Sequence, residues 1–269
     1  MHMSDRIQLL AADGAAAEIH ARGAHVTRWQ PAGAQSSHLF VSKRAIYAEG
    51  VPIRGGMPVI FPQFAGEGPL PKHGFARTAQ WQLREQDRDR AVFEWGDNAS
   101  TRSLWPHSFA ARLSVAIGGA ALTVALDITN TGSSPFHFTA ALHTYLAVQD
   151  ITDVQVFGLQ GLHYRDTAQS GCMAQEAKAA LRIVDEVDRN YFAAPPTLLL
   201  QDDVRALRIE QTGFVDTVVW NPGAASSVNF KDLAPDDYQR FLCIEAATIA
   251  TPIALKPGAQ WRGSQRLTA

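Results

Sequence analysis

The sequence predicts an all-β protein, folded as one large antiparallel β-sandwich domain over residues 1–269. Three observations carry this prediction. Short apolar runs alternate with polar residues at a period of two, and clusters of Gly, Pro, Asn and Asp separate the runs. The third is that few segments could be helical for long. Sandwiches often reach 269 residues as a single unit, and no shift in composition marks a domain boundary.

The clearest element is a hairpin. Apolar and polar residues alternate over 122–129, and the preceding run 113–117 is joined to them through Gly118-Gly119. A diglycine suits the positive dihedral angles of a two-residue turn, so the two runs should pair antiparallel. Further strands are predicted, in chain order, at Gly23–Trp29, Ala79–Leu83, Ala91–Trp95, Phe136–Val148, Val154–Leu159, Ala206–Gln211, Val215–Trp220, Phe241–Ala247 and Gln260–Leu267.

Helical signals are weak and short. Propensity favours one helix over Met173–Leu181, although this segment has no sustained amphipathic stripe. Pro235–Tyr238 is typical of a single helical turn, with acidic residues near its N-terminus. The sequence therefore predicts a sandwich with few short helices.

Composition excludes several classes of function. With 24 basic and 26 acidic residues the formal net charge is −2, which argues against a nucleic-acid or membrane-surface partner. Cys172 and Cys243 fit neither a zinc pattern nor a disulfide framework, so we expect no metal site and a reducing compartment. There is no signal peptide and no run of about twenty apolar residues. We expect a soluble, cytoplasmic protein.

Cations are concentrated in two neighbouring segments, Pro52–Pro62 and Leu70–Arg77. They place Arg54, Arg77, a lysine and a histidine on a backbone stiffened by prolines and bent by glycines. A guanidinium offers a fixed fork of donors that matches a carboxylate or phosphate, so the segments could form a small anion site. A structural loop with solvated charges fits these residues equally well.

Two later strands carry candidate acid–base groups. Alternation along Phe136–Leu146 places His137, His143 and Tyr145 on one face, where a lone histidine is more often structural than functional. In the run Phe241–Ala247, Glu245 is the one carboxylate among apolar residues. Such a group costs several kcal/mol unless it is paired, hydrogen-bonded or protonated, so both a catalytic role and a structural ion pair are open.

These residues carry a resemblance to a known family. The chain resembles the hexose-6-phosphate 1-epimerases, a branch of the aldose 1-epimerase (galactose mutarotase-like) superfamily, from about Gly23 to Leu267. No single motif is decisive, but five occur in the family's order: Arg54-Gly55-Gly56-Met57-Pro58, His73-Gly74-Phe75-Ala76-Arg77, Ala141-Leu142-His143-Thr144-Tyr145, Asp216-Thr217-Val218-Val219-Trp220-Asn221-Pro222 and Cys243-Ile244-Glu245-Ala246.

The resemblance implies a supersandwich with a cleft across one sheet and a reaction that needs no cofactor. By similarity, His143 would protonate the ring oxygen of the pyranose, and Glu245 would take the proton of the anomeric hydroxyl. The ring then opens, the bond C1–C2 rotates, and closure with the roles reversed gives the other anomer. Acid and base thus serve both directions of the reaction.

The resemblance also implies residues that bind substrate. Arg54 and Arg77 would hold the 6-phosphate, while His73 and Asp216 would bind sugar hydroxyls. The roles of Lys72, Asp188 and Arg189 stay open, and Trp220 fits core packing better than a sugar platform. Where family members carry a bulky aromatic after Asn-Pro, this chain has small residues at 223–227, which leaves sugar selectivity open.

The favoured hypothesis is an isomerase that interconverts the α and β anomers of an aldohexose 6-phosphate, with glucose 6-phosphate as the expected substrate. One alternative is an aldose 1-epimerase for unphosphorylated sugars. Another is a non-catalytic carbohydrate-binding module, which would not need an opposed acid and base. In each case the partner is a small sugar, and we expect a monomer.

Overall fold

The chain folds almost entirely into strands, which confirms the predicted all-β class. The computed structural model describes residues 5–269. In chain order its strands are β1 (Arg6–Leu10), β2 (Ala16–His20), β3 (His25–Gln30), β4 (Val59–Ile60), β5 (Gln82–Gln86), β6 (Arg90–Gly96), β7 (Phe109–Gly118), β8 (Ala121–Asn130), β9 (Phe136–Leu142), β10 (Tyr145–Ala147), β11 (Gln155–Phe157), β12 (His163–Asp166), β13 (Cys172–Gln175), β14 (Ala180–Arg182), β15 (Val187–Tyr191), β16 (Thr197–Gln201), β17 (Ala206–Thr212), β18 (Asp216–Asn221), β19 (Phe241–Leu255) and β20 (Gln260–Thr268).

Helices are short in the described part of the chain. The α-helices are α1 (Ala99–Leu104) and α2 (Gly223–Ser227), and single 3-10 turns lie at Ala76–Thr78, Ile151–Asp153 and Asp237–Arg240. None of the helices in residues 5–269 has the length and apolar character needed to span a bilayer.

The strands form two large sheets and one small one. A nine-stranded sheet has the order β14-β11-β16-β17-β20-β8-β7-β6-β5, and an eight-stranded sheet has the order β13-β12-β15-β18-β19-β9-β4, with β10 also paired to β19. Strands β1, β2 and β3 form the third sheet. Pairing between these strands is antiparallel, as the alternating runs predict.

The predicted hairpin is confirmed, with its turn one residue further on. Strands β7 and β8 pair from Phe109 opposite Asn130 to Gly118 opposite Ala121. Gly119, at φ 54°, and the residue after it form the two-residue connection.

The predicted helix over Met173–Leu181 is wrong. Its first residues belong to β13, which pairs with β12 at the edge of the eight-stranded sheet. Its last residues belong to β14, which pairs with β11 at the edge of the other large sheet. Pairing with two different sheets outweighs a propensity that amounts to a few tenths of a kcal/mol per residue.

The main hydrophobic core lies between the two large sheets. On β9 and β19, Leu142, Ile244 and Ala246 belong to this core. The alternate residues face the other way and pack in separate clusters beneath covering loops: one includes Ala141 and Ala247, another Tyr145 and Cys243. The outer face of the eight-stranded sheet is therefore covered by loops, and the candidate site lies there.

Candidate active site

His143 lies where one strand of the eight-stranded sheet is interrupted. Strand β9 ends at Leu142 and β10 begins at Tyr145. Between them the Thr144 N–H donates to the Leu142 carbonyl at 3.0 Å, and the His143 N–H donates to the Pro58 carbonyl at 3.0 Å. Alternation across this break directs the His143 side chain to the face that carries Tyr145.

Glu245 is brought directly against His143. It lies on β19, opposite Val218 of β18, and its Oε1 is 3.3 Å from His143 Nε2. Glu245 is 1% exposed and His143 is 8% exposed. The outer atoms of the pair, His143 Nδ1 and Glu245 Oε2, are buried without a hydrogen-bond partner. Each of these two atoms could therefore form a hydrogen bond with a ligand.

Burial decides the protonation of this pair. It holds the pKa of His143 well below its usual value, and the charges of Arg77 and Arg54 lower that pKa further. Burial also raises the pKa of Glu245 well above its usual value, and the nearby Asp188 adds to the rise. Both shifts favour a neutral imidazole beside a protonated carboxylic acid before any ligand binds.

Aromatic rings and a second imidazole surround His143. The Tyr145 ring stacks on it, with centroids 4.9 Å apart and planes inclined by 13°. Trp220 contacts it edge-on at 5.8 Å, and the His73 ring lies at 5.7 Å. The face predicted to carry His143 and Tyr145 is thus the one that lines the site, and Trp220 and His73 join it.

Arg54 is held in place by three side chains. Its Nε donates to Asp232 Oδ2 at 3.1 Å, its Nη1 donates to the Tyr145 hydroxyl at 3.0 Å, and its guanidinium lies 4.9 Å from the Phe230 ring centroid. Tyr145 therefore contacts both Arg54 and His143. The sequence analysis missed Asp232, because no local pattern indicates a partner 178 positions away.

Arg77 lies within electrostatic reach of the same residues. It is part of the 3-10 turn Ala76–Thr78, and its Nη2 donates to the Lys72 carbonyl at 2.9 Å. Burial lowers the pKa of Arg77 to about 10, and the charge of Arg54 lowers it as well, while Tyr145 and Glu245 raise it. Two cations, Arg54 and Arg77, thus flank the His143–Glu245 pair.

Asp216 already has backbone partners for both carboxylate oxygens. Oδ2 accepts from the N–H groups of Ile249 and Ala250, each at 2.9 Å, and Oδ1 accepts from that of Ala193 at 3.3 Å. In this structure Asp216 therefore anchors the backbone where β19 loses register with β9. A sugar hydroxyl would have to use the lone pairs that remain.

Asp188 and Arg189, whose roles the sequence left open, have different surroundings in the structure. Arg189 donates to Asp166 at 3.2 Å and to Glu176 at 3.0 Å, both of which are buried. Asp188 lies opposite Trp220 of the site, and burial raises its pKa. Asp188 therefore belongs to the site's surroundings, whereas Arg189 has a structural ion pair.

One cavity of the described chain, residues 5–269, lies apart from the candidate site. This cavity of about 840 Å³ lies on the nine-stranded sheet near α1, and it is lined by Arg84, Glu94 and Arg112, whose charges pair with one another. None of the predicted site residues lines it. No group of three or more His, Cys, Asp or Glu in the described chain has the geometry to hold a metal ion.

Comparison with known proteins gives matches along nearly the whole chain. The aldose 1-epimerase family model matches residues 5–268. A "putative glucose-6-phosphate 1-epimerase" of Cenchrus ciliaris is 35% identical over 279 residues, covering 98% of this chain and 84% of that protein. A protein of the same name from Escherichia coli is 32% identical, covering 90% and 84%. The crystal structure of a "putative mutarotase (YeaD)" from Salmonella typhimurium superimposes with a TM-score of 0.87 at 29% identity, covering 94% and 86%.

Proposed function

The chain belongs to the aldose 1-epimerase family, and we propose that this isomerase interconverts the α and β anomers of an aldohexose 6-phosphate, with glucose 6-phosphate as its substrate. Relatives named for that activity support the choice of substrate. The reaction opens and closes the pyranose ring and leaves the 6-phosphate unchanged.

The observation that carries the proposal is the 3.3 Å contact between His143 Nε2 and Glu245 Oε1. The ring oxygen and the anomeric hydroxyl are both bonded to C1, so the acid and the base must reach two neighbouring oxygen atoms. Side chains that converge this closely can do so without rearrangement. Burial keeps water away from the open-chain aldehyde.

The pair holds one shared proton before the sugar reacts, and it holds one again after each cycle. In the unliganded site this proton rests on Glu245, as the directions of the two pKa shifts require. Its transfer across the contact produces imidazolium at His143 and carboxylate at Glu245. His143 then protonates the ring oxygen, and Glu245 takes the anomeric proton as the ring opens. On closure at the opposite face of the aldehyde, His143 takes the proton of the hydroxyl that becomes the ring oxygen, and Glu245 gives its proton to the aldehyde oxygen. This restores imidazolium and carboxylate, and the shared proton can then return to Glu245.

Arg54 and Arg77 form the proposed phosphate end of the site. Asp232 and Tyr145 already fix the Arg54 guanidinium, so the side chain loses little further conformational entropy when an anion binds there. The guanidinium keeps N–H groups beyond those two bonds for a phosphate. His73 and the remaining lone pairs of Asp216 are proposed to contact sugar hydroxyls.

The acid–base roles are tested with pure α-glucose 6-phosphate. His143→Asn and Glu245→Gln should each lower the catalysed rate of anomer exchange by about 100-fold or more, because acid–base catalysis contributes factors of this order. The rate is followed by polarimetry or NMR above the buffer rate. His137→Asn, an exposed histidine on β9, is the matched control and should keep the wild-type rate. If both site variants keep that rate, the proposed roles are wrong.

A second candidate, an epimerase for unphosphorylated aldoses, is favoured by one observation. Arg54 already has a carboxylate partner in Asp232, as a structural arginine would. The double variant Arg54→Ala, Arg77→Ala distinguishes the two candidates, with kcat/KM measured on glucose 6-phosphate and on glucose.

We expect the double variant to lose roughly 100-fold or more in kcat/KM on the phosphate ester and far less on glucose, because bonds to a charged group contribute about 1.5–3 kcal/mol each. Arg84→Ala, Arg112→Ala, on the outer face of the other sheet, is the matched control. Equal losses on both substrates would favour the second candidate.

A further inference from the structure

Two glutamines lie side by side inside the apolar core, behind the candidate site. Gln265 of β20 is 1% exposed and Gln211 of β17 is 8% exposed, and the two are direct partners in the register of the nine-stranded sheet. A buried amide is costly unless its donors and acceptor are satisfied. Both glutamines meet this requirement by reaching across the core to the eight-stranded sheet.

Gln265 reaches the two strands that carry His143 and Glu245. Its Nε2 donates to the Ile244 carbonyl at 3.1 Å, and its Oε1 accepts from the Thr144 hydroxyl. Thr144 follows His143 and Ile244 precedes Glu245 in the chain. One side chain therefore joins the backbone neighbours of both members of the pair.

The contact replaces a hydrogen bond that the strand interruption removes. In an unbroken antiparallel ladder, Thr144 and Ile244 would exchange two backbone hydrogen bonds. Here the Ile244 N–H donates to the Thr144 carbonyl at 3.1 Å, but the Thr144 N–H has turned to Leu142. The Ile244 carbonyl is left without its ladder donor, and Gln265 Nε2 supplies one.

Gln211 makes the same pattern of contacts one strand away. Its Nε2 donates to the Asp216 carbonyl at 3.2 Å, and its Oε1 accepts from the Thr217 hydroxyl at 3.3 Å. Neither Asp216 nor Thr217 adjoins His143 or Glu245 in sequence. Gln211 is therefore a natural comparison for Gln265, with equivalent hydrogen bonds to β18, a strand that carries neither His143 nor Glu245.

We propose that Gln265 is a positioning residue for the reaction, which holds the strand break at Thr144 against Ile244 and so fixes the spacing of His143 and Glu245. This inference rests on the acid–base roles proposed above. Gln265 does not touch the substrate and acts only through its two hydrogen bonds across the core. Displacing a catalytic group by about 1 Å can cost a factor of roughly 100 in rate.

The test compares Gln265→Leu, Thr144→Val and the double variant with the wild type. Gln265→Leu should lower kcat on α-glucose 6-phosphate roughly 10- to 100-fold and change KM by less than about threefold, because the substrate contacts remain. Thr144→Val should lower kcat in the same direction. The double variant replaces both the hydroxyl and the amide by apolar groups, so neither is left buried without its partner. It should therefore regain part of the resistance to urea that each single variant loses, but none of the lost kcat.

Gln211→Leu controls for the general loss of a buried amide. It should lower the urea midpoint about as much as Gln265→Leu, with a much smaller loss of kcat. Three results would overturn the proposal: kcat of Gln265→Leu within about twofold of wild type, recovery of kcat together with stability in the double variant, or equal losses of kcat in both glutamine variants.

The failure of the proposed function is distinguishable from the failure of this inference. An inactive wild type would overturn the function. A crystal structure of Gln265→Leu would then test the positioning role directly, since the 3.3 Å contact between His143 Nε2 and Glu245 Oε1 should lengthen. An unchanged contact would overturn the inference whatever the activity.

Discussion

Glu245 shows how a single residue can oppose the stability of the fold that holds it. It is almost fully buried, and its Oε2 has no partner in the described chain. The neutral acid is tolerated there, but ionisation is disfavoured, so the pKa is raised. Residues that reduce stability in this way are expected at functional sites, where activity and stability compete.

This predicts a pH-dependent gain in stability for Glu245→Gln. Above pH 4.5 the unfolded chain loses the Glu245 proton while the folded chain keeps it, so the wild type loses about 1.4 kcal/mol of stability per pH unit up to the raised pKa. The amide has no such penalty. The variant's advantage in urea unfolding should therefore be larger at pH 8 than at pH 5, and an advantage that shrinks with rising pH would contradict the burial argument.

At the residue scale, the sequence indicated the candidate acid–base pair but not the residues that support it. A carboxylate in an apolar run and a histidine on the polar face of a strand are local patterns, and the family resemblance joined them. The contacts of Arg54 with Asp232 and of Thr144 with Gln265 join residues more than a hundred positions apart. Such pairs are fixed by sheet order, which one sequence does not encode locally.

At the scale of elements, the segment that carries Arg54 is held by close backbone approach. Gly55 and Gly56 have φ angles of 114° and 66°. A Cβ on Gly56 would lie 2.4 Å from the Val26 carbonyl oxygen. From beneath, His25 Nε2 donates to the Gly55 carbonyl at 2.7 Å. Both glycines are needed for the turn itself and not for flexibility.

Replacing Gly56 should destabilise the fold far more than replacing a glycine that has open space around it. Gly56→Ala should destabilise the protein by about 3 kcal/mol or more, because strain at positive φ adds to a backbone clash. The control is Gly33→Ala, at φ 76° with no atom within 4 Å of the added Cβ, which should lose only about 1 kcal/mol. Urea unfolding measures both, and equal losses would mean that the close approach is unimportant.

The sequence predicted the long strands better than the short ones. Alternation located β7, β8, β17 and β20 because each has one face on the core over several residue pairs. Strand β4 has only two residues, and β13 and β14 are short edge strands. Their conformation is set by neighbours from distant parts of the chain.

At the scale of the whole molecule, buried His25 and His73 and half-buried His38 favour the neutral form. Burial is the main cause, and it lowers the pKa of His25 and of His73 to about 3, and that of His38 to about 4. The unfolded chain binds protons at these residues below pH 6.5, whereas the folded chain does not. The contribution of these histidines to folding stability is therefore complete above pH 6.5 and falls as the pH drops toward 4.

The melting temperature should accordingly fall between pH 7 and pH 5. His25 and His73 each contribute a loss of up to about 1.4 kcal/mol per pH unit, His38 contributes less because solvent screens its half-exposed ring, and Glu245 opposes them with the reverse sign. His25→Asn removes one contribution and should flatten the slope, even if it melts lower at pH 7. A melting temperature that is constant over this range would contradict the prediction.

His73 has a consequence for how protons move in the site. Its Nδ1 accepts the Ala65 N–H at 3.3 Å, so the neutral ring carries its hydrogen on Nε2 and has no lone pair left to receive another. Although His73 lies beside His143, it cannot relay a proton to or from it. The contact between Glu245 and His143 is therefore the proposed route of proton transfer, and the neighbouring imidazole does not take part in it. In the proposed mechanism, His143 and Glu245 therefore pass protons to and from the sugar without help from His73.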